Sequence, residues 1–120
     1  MASKLQNKVI RWQDKCFGWK MRMNVRSAHA FIEEAIELAQ ACGLSEREVG
    51  MHVARIFAKP KGLVEQEIGG VMLTLASVAN VYSLDMLKIM NDHVDWCEAH
   101  TDEIRDRYLV KEQNFLPAIE

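Results

Sequence analysis

Proline is nearly missing from this 120-residue chain: it has two, beside six glycines and an aromatic fraction of 8%. So few breakers exclude a chain of many short strands joined by Gly/Pro turns, and no segment alternates apolar and polar residues as a half-buried strand would. Cysteine is equally sparse. Cys16, Cys42 and Cys97 are odd in number, far apart and without a C-x-x-C pair, which reads as free thiols in a reducing compartment. A basic surplus is absent too, the net charge being -2. No global positive field therefore recruits nucleic acid, although Lys20–Arg26 is a locally basic connector. The longest apolar run, Ile68 to Val81, is interrupted by Thr74, Ser77 and Asn80 and is too short to span a bilayer. The first residues carry no apolar signal core, and a cytoplasmic protein without a membrane partner is the expectation.

What the chain does contain is helical periodicity. Apolar residues make up 49% and charged residues 27%, ordinary values for one globular domain spanning 1–120. Leu5, Val9, Trp12 and Cys16 recur at helical spacing, and Gly18 follows as a stop. A second helix is predicted from about Ser27 to Cys42, ended by Gly43. Ser45-Glu46-Arg47-Glu48 has the form of a capping box opening a short helix. Lys59-Pro60-Lys61-Gly62 is a break. The next helix, Leu63 to Val81, is apolar on nearly every side, which predicts a central, buried helix. Ser83 is placed to cap a last long helix carrying Leu87, Met90, Val94 and Cys97, with a tail after about residue 110 that frays or docks. The expectation is an all-α, four-helix-type bundle, completed by dimer or dimer-of-dimers packing because that central helix is hard to cover within one short chain.

The chemistry-bearing residues cluster in two acidic segments. On the second helix Glu34 lies at the edge of the apolar stripe of Phe31, Ala35, Leu38 and Cys42, with Glu37 one turn on and Glu33 pointing farther out. On the central helix Glu67 shares the apolar face with Val64, Val71 and Thr74, and no lysine or arginine stands one turn after it. A carboxylate on an apolar face is costly unless something binds it, and hard cations such as Mg²⁺ are held through carboxylate oxygens and substrate phosphates. The plain alternatives are a solvated glutamate face on the second helix and, for Glu67, a helix-mouth position favoured by the dipole. Gly69-Gly70 costs about 1 kcal/mol per glycine inside a helix, a sign of close packing or of room for a ligand.

Phe31-Ile32-Glu33-Glu34-Ala35-Ile36-Glu37-Leu38, followed by Glu67-Ile68-Gly69-Gly70-Val71-Met72-Leu73-Thr74-Leu75-Ala76, resembles the MazG-like all-α nucleoside triphosphate pyrophosphohydrolases, most closely their short, single-domain phage and prophage type. The resemblance covers residues 8 to 107. It implies Mg²⁺-dependent (or Mn²⁺-dependent) hydrolysis of a nucleoside triphosphate to the monophosphate and pyrophosphate, by a homodimer or homotetramer. Glu34, Glu37 and Glu67 match its metal ligands, and Glu33 or Glu37 is the candidate general base. The fourth ligand, an aspartate in the family, is Gly70 here. Asp92 or Asp95 on the last helix are candidate substitutes for it. Arg105, Arg107 and Lys111 are candidates for gripping the phosphates, and Trp12 for stacking a base, against the plain readings of helix-dipole complement and core. A rival reading is a catalytically weak or inactive nucleotide-binding or interaction protein on the same scaffold. His93, Cys97 and His100 share a helical face at a spacing that also suits a soft metal, although no fourth ligand lies near.

Overall fold

The computed structural model describes residues 2–116, which are all-α. Six α-helices are present among the described residues: α1 (Lys4–Phe17), α2 (Asn24–Ala41), α3 (Glu46–Phe57), α4 (Val64–Val81), α5 (Met86–Ala99) and α6 (Thr101–Asn114), with a 3₁₀ segment at Gly18–Arg22. The helix boundaries follow local chemistry. Ser3 caps α1 and Ser45 caps α3, each in a reciprocal box with the residue three positions on (Gln6, Glu48). Gly18 and Gly43 take positive φ at the ends of α1 and α2. Gly43 closes α2 with paired bonds, Leu44 N–H to Ala39 O and Gly43 N–H to Gln40 O, both 3.0 Å.

Three features depart from the sequence expectation. The basic connector is shorter, because Lys20 and Arg22 fall in the 3₁₀ segment and Arg26 is already inside α2. Ser83 does not cap the following helix: at φ 55 it closes α4, its N–H reaching Asn80 O while Leu84 N–H reaches Ala79 O. The last long helix is two helices, broken at His100. Residues 111–114 continue α6 rather than fraying, and Pro117 lies outside the described residues.

Two compact units can be distinguished, one of Met1–Ala30 with Met86–Glu120 and one of Phe31–Asp85. The first is built on α1, which packs against the 3₁₀ segment, α5 and α6. Its centre holds Cys16, Val94, Cys97, Thr101 and Tyr108, all buried. Phe17 lies between Trp12 (centroids 5.5 Å, edge-on) and Tyr108 (4.7 Å). Arg26, 3% exposed, sits 4.0 Å from Glu112, which also accepts from Lys20 Nζ at 2.8 Å. A carboxylate shared by two cations fastens the start of α2 to α6.

The second unit is different in kind. It holds the greater part of α2 with α3 and α4, and not one residue from Phe31 to Asp85 is buried. The expectation of a buried central helix is therefore not met within the chain: α4 keeps its apolar composition but buries none of its residues. Periodicity reports that a helix is apolar all round; it does not report what supplies the cover.

Candidate functional site

The two acidic segments lie in the second unit. Glu33, Glu34 and Glu37 are on the outer part of α2, Glu33 half-buried and the other two exposed. Glu67 belongs to the first turn of α4, whose N-cap is Leu63. Its backbone N–H already bonds Leu63 O at 2.9 Å, and its carboxylate folds back against Gly62, where a Cβ would collide with it. Gly62 thus gives the glutamate room at the helix mouth, where the dipole favours a negative charge. This is the plain alternative to a carboxylate stranded on a buried face, and the break at Lys59–Gly62 was its sequence signal. Among the described residues no lysine or arginine forms an ion pair with Glu34, Glu37 or Glu67.

The ligand set does not converge. Among the described residues no three His, Cys, Asp or Glu side chains come close enough together to hold a metal ion. Glu34, Glu37 and Glu67 of one chain therefore do not form a Mg²⁺ cradle by themselves. Asp92 and Asp95 are each held by a lysine, Asp92 by Lys88 at 2.7 Å and Asp95 by Lys8 at 2.6 Å.

The other candidates belong to the first unit, and their partners define their work. Arg105 donates from Nε to Cys16 O (2.8 Å) and from Nη2 to Lys15 O (3.0 Å), with Asp102 at 3.2 Å from Nη1. Its guanidinium caps the open carbonyls of α1, a role that serves a helix dipole, though that of α1 rather than its own. Arg107 is exposed, 4.0 Å from Glu103, and Lys111 is exposed near the end of α6. Trp12 donates its indole N–H to Thr101 Oγ1 at 3.2 Å and rests edge-on to Phe17. That is the plain core reading of this tryptophan. The concave surface beside it is lined by Lys15, Glu98, His100, Asp102, Glu103 and Arg105, charges of both signs that give no field for a polyanion.

Cys97 is buried and continues the Leu87–Val94 stripe, which leaves His93 and Trp96 exposed on α5 and His100 half-buried just past its end. The three rings stack nearly parallel, with centroids 5.7 Å apart between His93 and Trp96 and 4.1 Å between Trp96 and His100. His100 Nδ1 lies 2.7 Å from Trp96 O, at the break between α5 and α6.

Few ionisations are displaced. The Arg22 guanidinium bonded to Asp14 holds that carboxyl below its ordinary range, and Ser45 does the same for Glu48. Burial pushes the Cys16 thiol up. The Cys42 sulfur beside Tyr82 raises the phenol. No protein-family model, curated protein or solved structure matches this chain.

Proposed function

We propose that this protein is a Mg²⁺-dependent nucleoside triphosphate pyrophosphohydrolase of the MazG-like kind, hydrolysing a phosphoanhydride bond to release nucleoside monophosphate and pyrophosphate. The observation that carries the proposal is the pair of carboxylate segments on two helices of one unit. Glu34 and Glu37 on α2 and Glu67 on α4 have no ion-pair partner among the described residues. The motif resemblance through Gly70-Val71-Met72 supports the same reading. Uncompensated carboxylates on otherwise apolar helices are suited to sharing a hard cation with a triphosphate, and Glu33 or Glu37 would take the proton from water.

A second reading is favoured by the missing cradle: a nucleotide-binding or interaction protein that does not turn substrate over. One experiment separates the two. Pyrophosphate release is measured over a panel of ribo-, deoxy- and oxidised nucleoside triphosphates with Mg²⁺ or Mn²⁺. The hydrolase reading expects turnover on at least one nucleotide, falling by at least about 100-fold, roughly 2.7 kcal/mol of transition-state stabilisation, in Glu34→Ala and in Glu67→Ala. Turnover that survives both substitutions together refutes the ligand assignment. Nucleotide uptake by calorimetry with no pyrophosphate supports the binding protein.

A further inference from the structure

We propose that Cys16 and Cys97 are a redox-active pair: under a peroxide they join in an intramolecular disulfide that ties α1 to α5 and closes the first unit covalently. The plain reading of each thiol is a small apolar filler of the core. Placement, a shared neighbour and local charge set the two together apart from that reading.

Placement comes first. Among the described residues the buried apolar side chains are Cys16, Val94, Cys97 and Tyr108, so half of them are cysteines. Cys16 lies in the last turn of α1 and Cys97 in the last turn of α5, and these two helices pack on each other. Cys42, the third cysteine, belongs to the other unit, where it lies beside Tyr82.

The shared neighbour is Thr101. The Cys16 thiol donates to Thr101 O at 3.6 Å, and the Thr101 hydroxyl donates back to Cys97 O at 3.1 Å. One residue thus touches both cysteines, and the two sulfurs are close enough for charge on Cys97 to push the Cys16 thiol up. A disulfide needs Cβ atoms about 3.5–4.5 Å apart, which only neighbours on touching helices can reach.

Local charge sets the rate. Arg105 donates from Nε to Cys16 O at 2.8 Å and its charge favours the Cys16 thiolate, but burial opposes it and is the larger effect. The thiolate is the nucleophile, so the pair reacts slowly at neutral pH and with a small, neutral oxidant. One cysteine, as thiolate, attacks a peroxide oxygen; the O–O bond breaks, hydroxide leaves and a sulfenic acid is formed. The second thiolate attacks that sulfur, the S–O bond breaks as the S–S bond forms, and a second hydroxide leaves. The two thiol protons convert the hydroxides to water. Two thiols and one hydrogen peroxide give one disulfide and two waters, the sulfurs oxidised and the peroxide reduced. The loop so closed contains all of Phe31–Asp85, and a cross-link that closes a long loop restricts the unfolded chain more than the folded one.

The test needs no nucleotide and stands or falls independently of any hydrolysis. The folded full-length chain is exposed to hydrogen peroxide at neutral and at alkaline pH, alkylated with iodoacetamide in denaturant and digested with trypsin. The expected product is peptide 16–20 linked to peptide 89–105, lighter by two hydrogens than their sum and separated by dithiothreitol. It forms faster at the higher pH, and the oxidised chain melts at a higher temperature until it is reduced. Cys42→Ser cross-links as the parent does, whereas Cys16→Ser and Cys97→Ser give no link. Should a serine at either buried position prevent folding, the peptide maps of the parent and of Cys42→Ser decide. Alkylation of both Cys16 and Cys97 after prolonged oxidation overturns the proposal, as does a link from either to Cys42 or a sulfinic acid at either. A link that forms only in urea overturns it too, and one that lowers the melting temperature overturns the tie between α1 and α5.

Discussion

Arg105 shows why a basic residue near a helix end is a poor guide to phosphate binding. Its sequence position, late on an acidic-to-basic helix, reads equally well as a grip on substrate. The structure directs its Nε and Nη2 to the backbone of Lys15 and Cys16 instead. Hydrogen bonds from a charged donor contribute about 1.5–3 kcal/mol where the alternative is an unsatisfied carbonyl. Arg105→Ala is therefore expected to lower stability by about 1–3 kcal/mol in a denaturant titration. Arg107→Ala, whose nearest carboxylate is 4.0 Å away at the surface, is expected to stay within about 0.5 kcal/mol of the parent. If both weaken triphosphate binding while neither moves stability, the capping role of Arg105 is wrong. Thr101, the partner of Trp12, and Cys16 and Lys15, the backbone partners of Arg105, lie 89 or 90 positions away in the chain, which is why their work was not legible from spacing.

At the scale of the element, legibility tracked locality. The Ser45–Glu48 capping box, the stops at Gly18 and Gly43 and the break at Lys59–Gly62 are each decided within a few residues, and all of them are present in the structure; the Ser3–Gln6 box is equally local but was not read from the sequence. The division of α5 from α6 was hidden, because neither glycine nor proline marks His100 and the apolar row runs on through Cys97 to Thr101. Thr101 Oγ1 accepts from Trp12 and turns back to the carbonyls of Cys97 and Glu98, both at 3.1 Å. That tertiary bond holds the new helix start in place. The α3 box carries a pH dependence. Ser45 donates to the Glu48 carboxylate from its N–H (3.1 Å) and its hydroxyl (2.9 Å), and those bonds hold the carboxyl below its ordinary range. A depressed carboxyl contributes stability that is fully present above its unfolded value and is lost as pH falls through the folded one. Helicity of α3 should hold from neutrality down to about pH 5 and decline below pH 4.5, tracked by the Glu48 side-chain resonance. In Ser45→Ala the depression should shrink and the helix start should weaken by about 1 kcal/mol. A Glu48 titration unchanged by that substitution would contradict the box.

Across the whole molecule the two units differ in where their stability comes from. The first has buried thiols, aromatic contacts and the Lys20–Glu112–Arg26 node. The second has helices with good local signals and no buried residue. All-α character was readable throughout, because periodicity and breakers are local properties. What could not be read was which apolar faces the chain covers for itself, since that depends on packing between residues far apart in sequence. The carboxylate candidates share the limitation: the motif shows that Glu34, Glu37 and Glu67 are carried on helices, not that those helices bring them together. Amide exchange offers a check. In sub-denaturing urea, α3 and α4 are expected to lose protection first, while α1, α5 and α6 retain it. Equal loss across all six helices would show that both units depend on one core.

The first unit is also discontinuous, with α1 made from the beginning of the chain and its packing partners α5 and α6 from the end. On the ribosome this becomes a matter of timing. At about 5–20 residues per second, the end of α1 is synthesised roughly 5 to 20 seconds before the last turn of α6. Through that interval Trp12, Cys16 and Phe17 lack α5 and α6 to pack on, while α3 and α4 of the same nascent chain are being made. The first unit therefore closes only late in translation, after every helix of the second has been made.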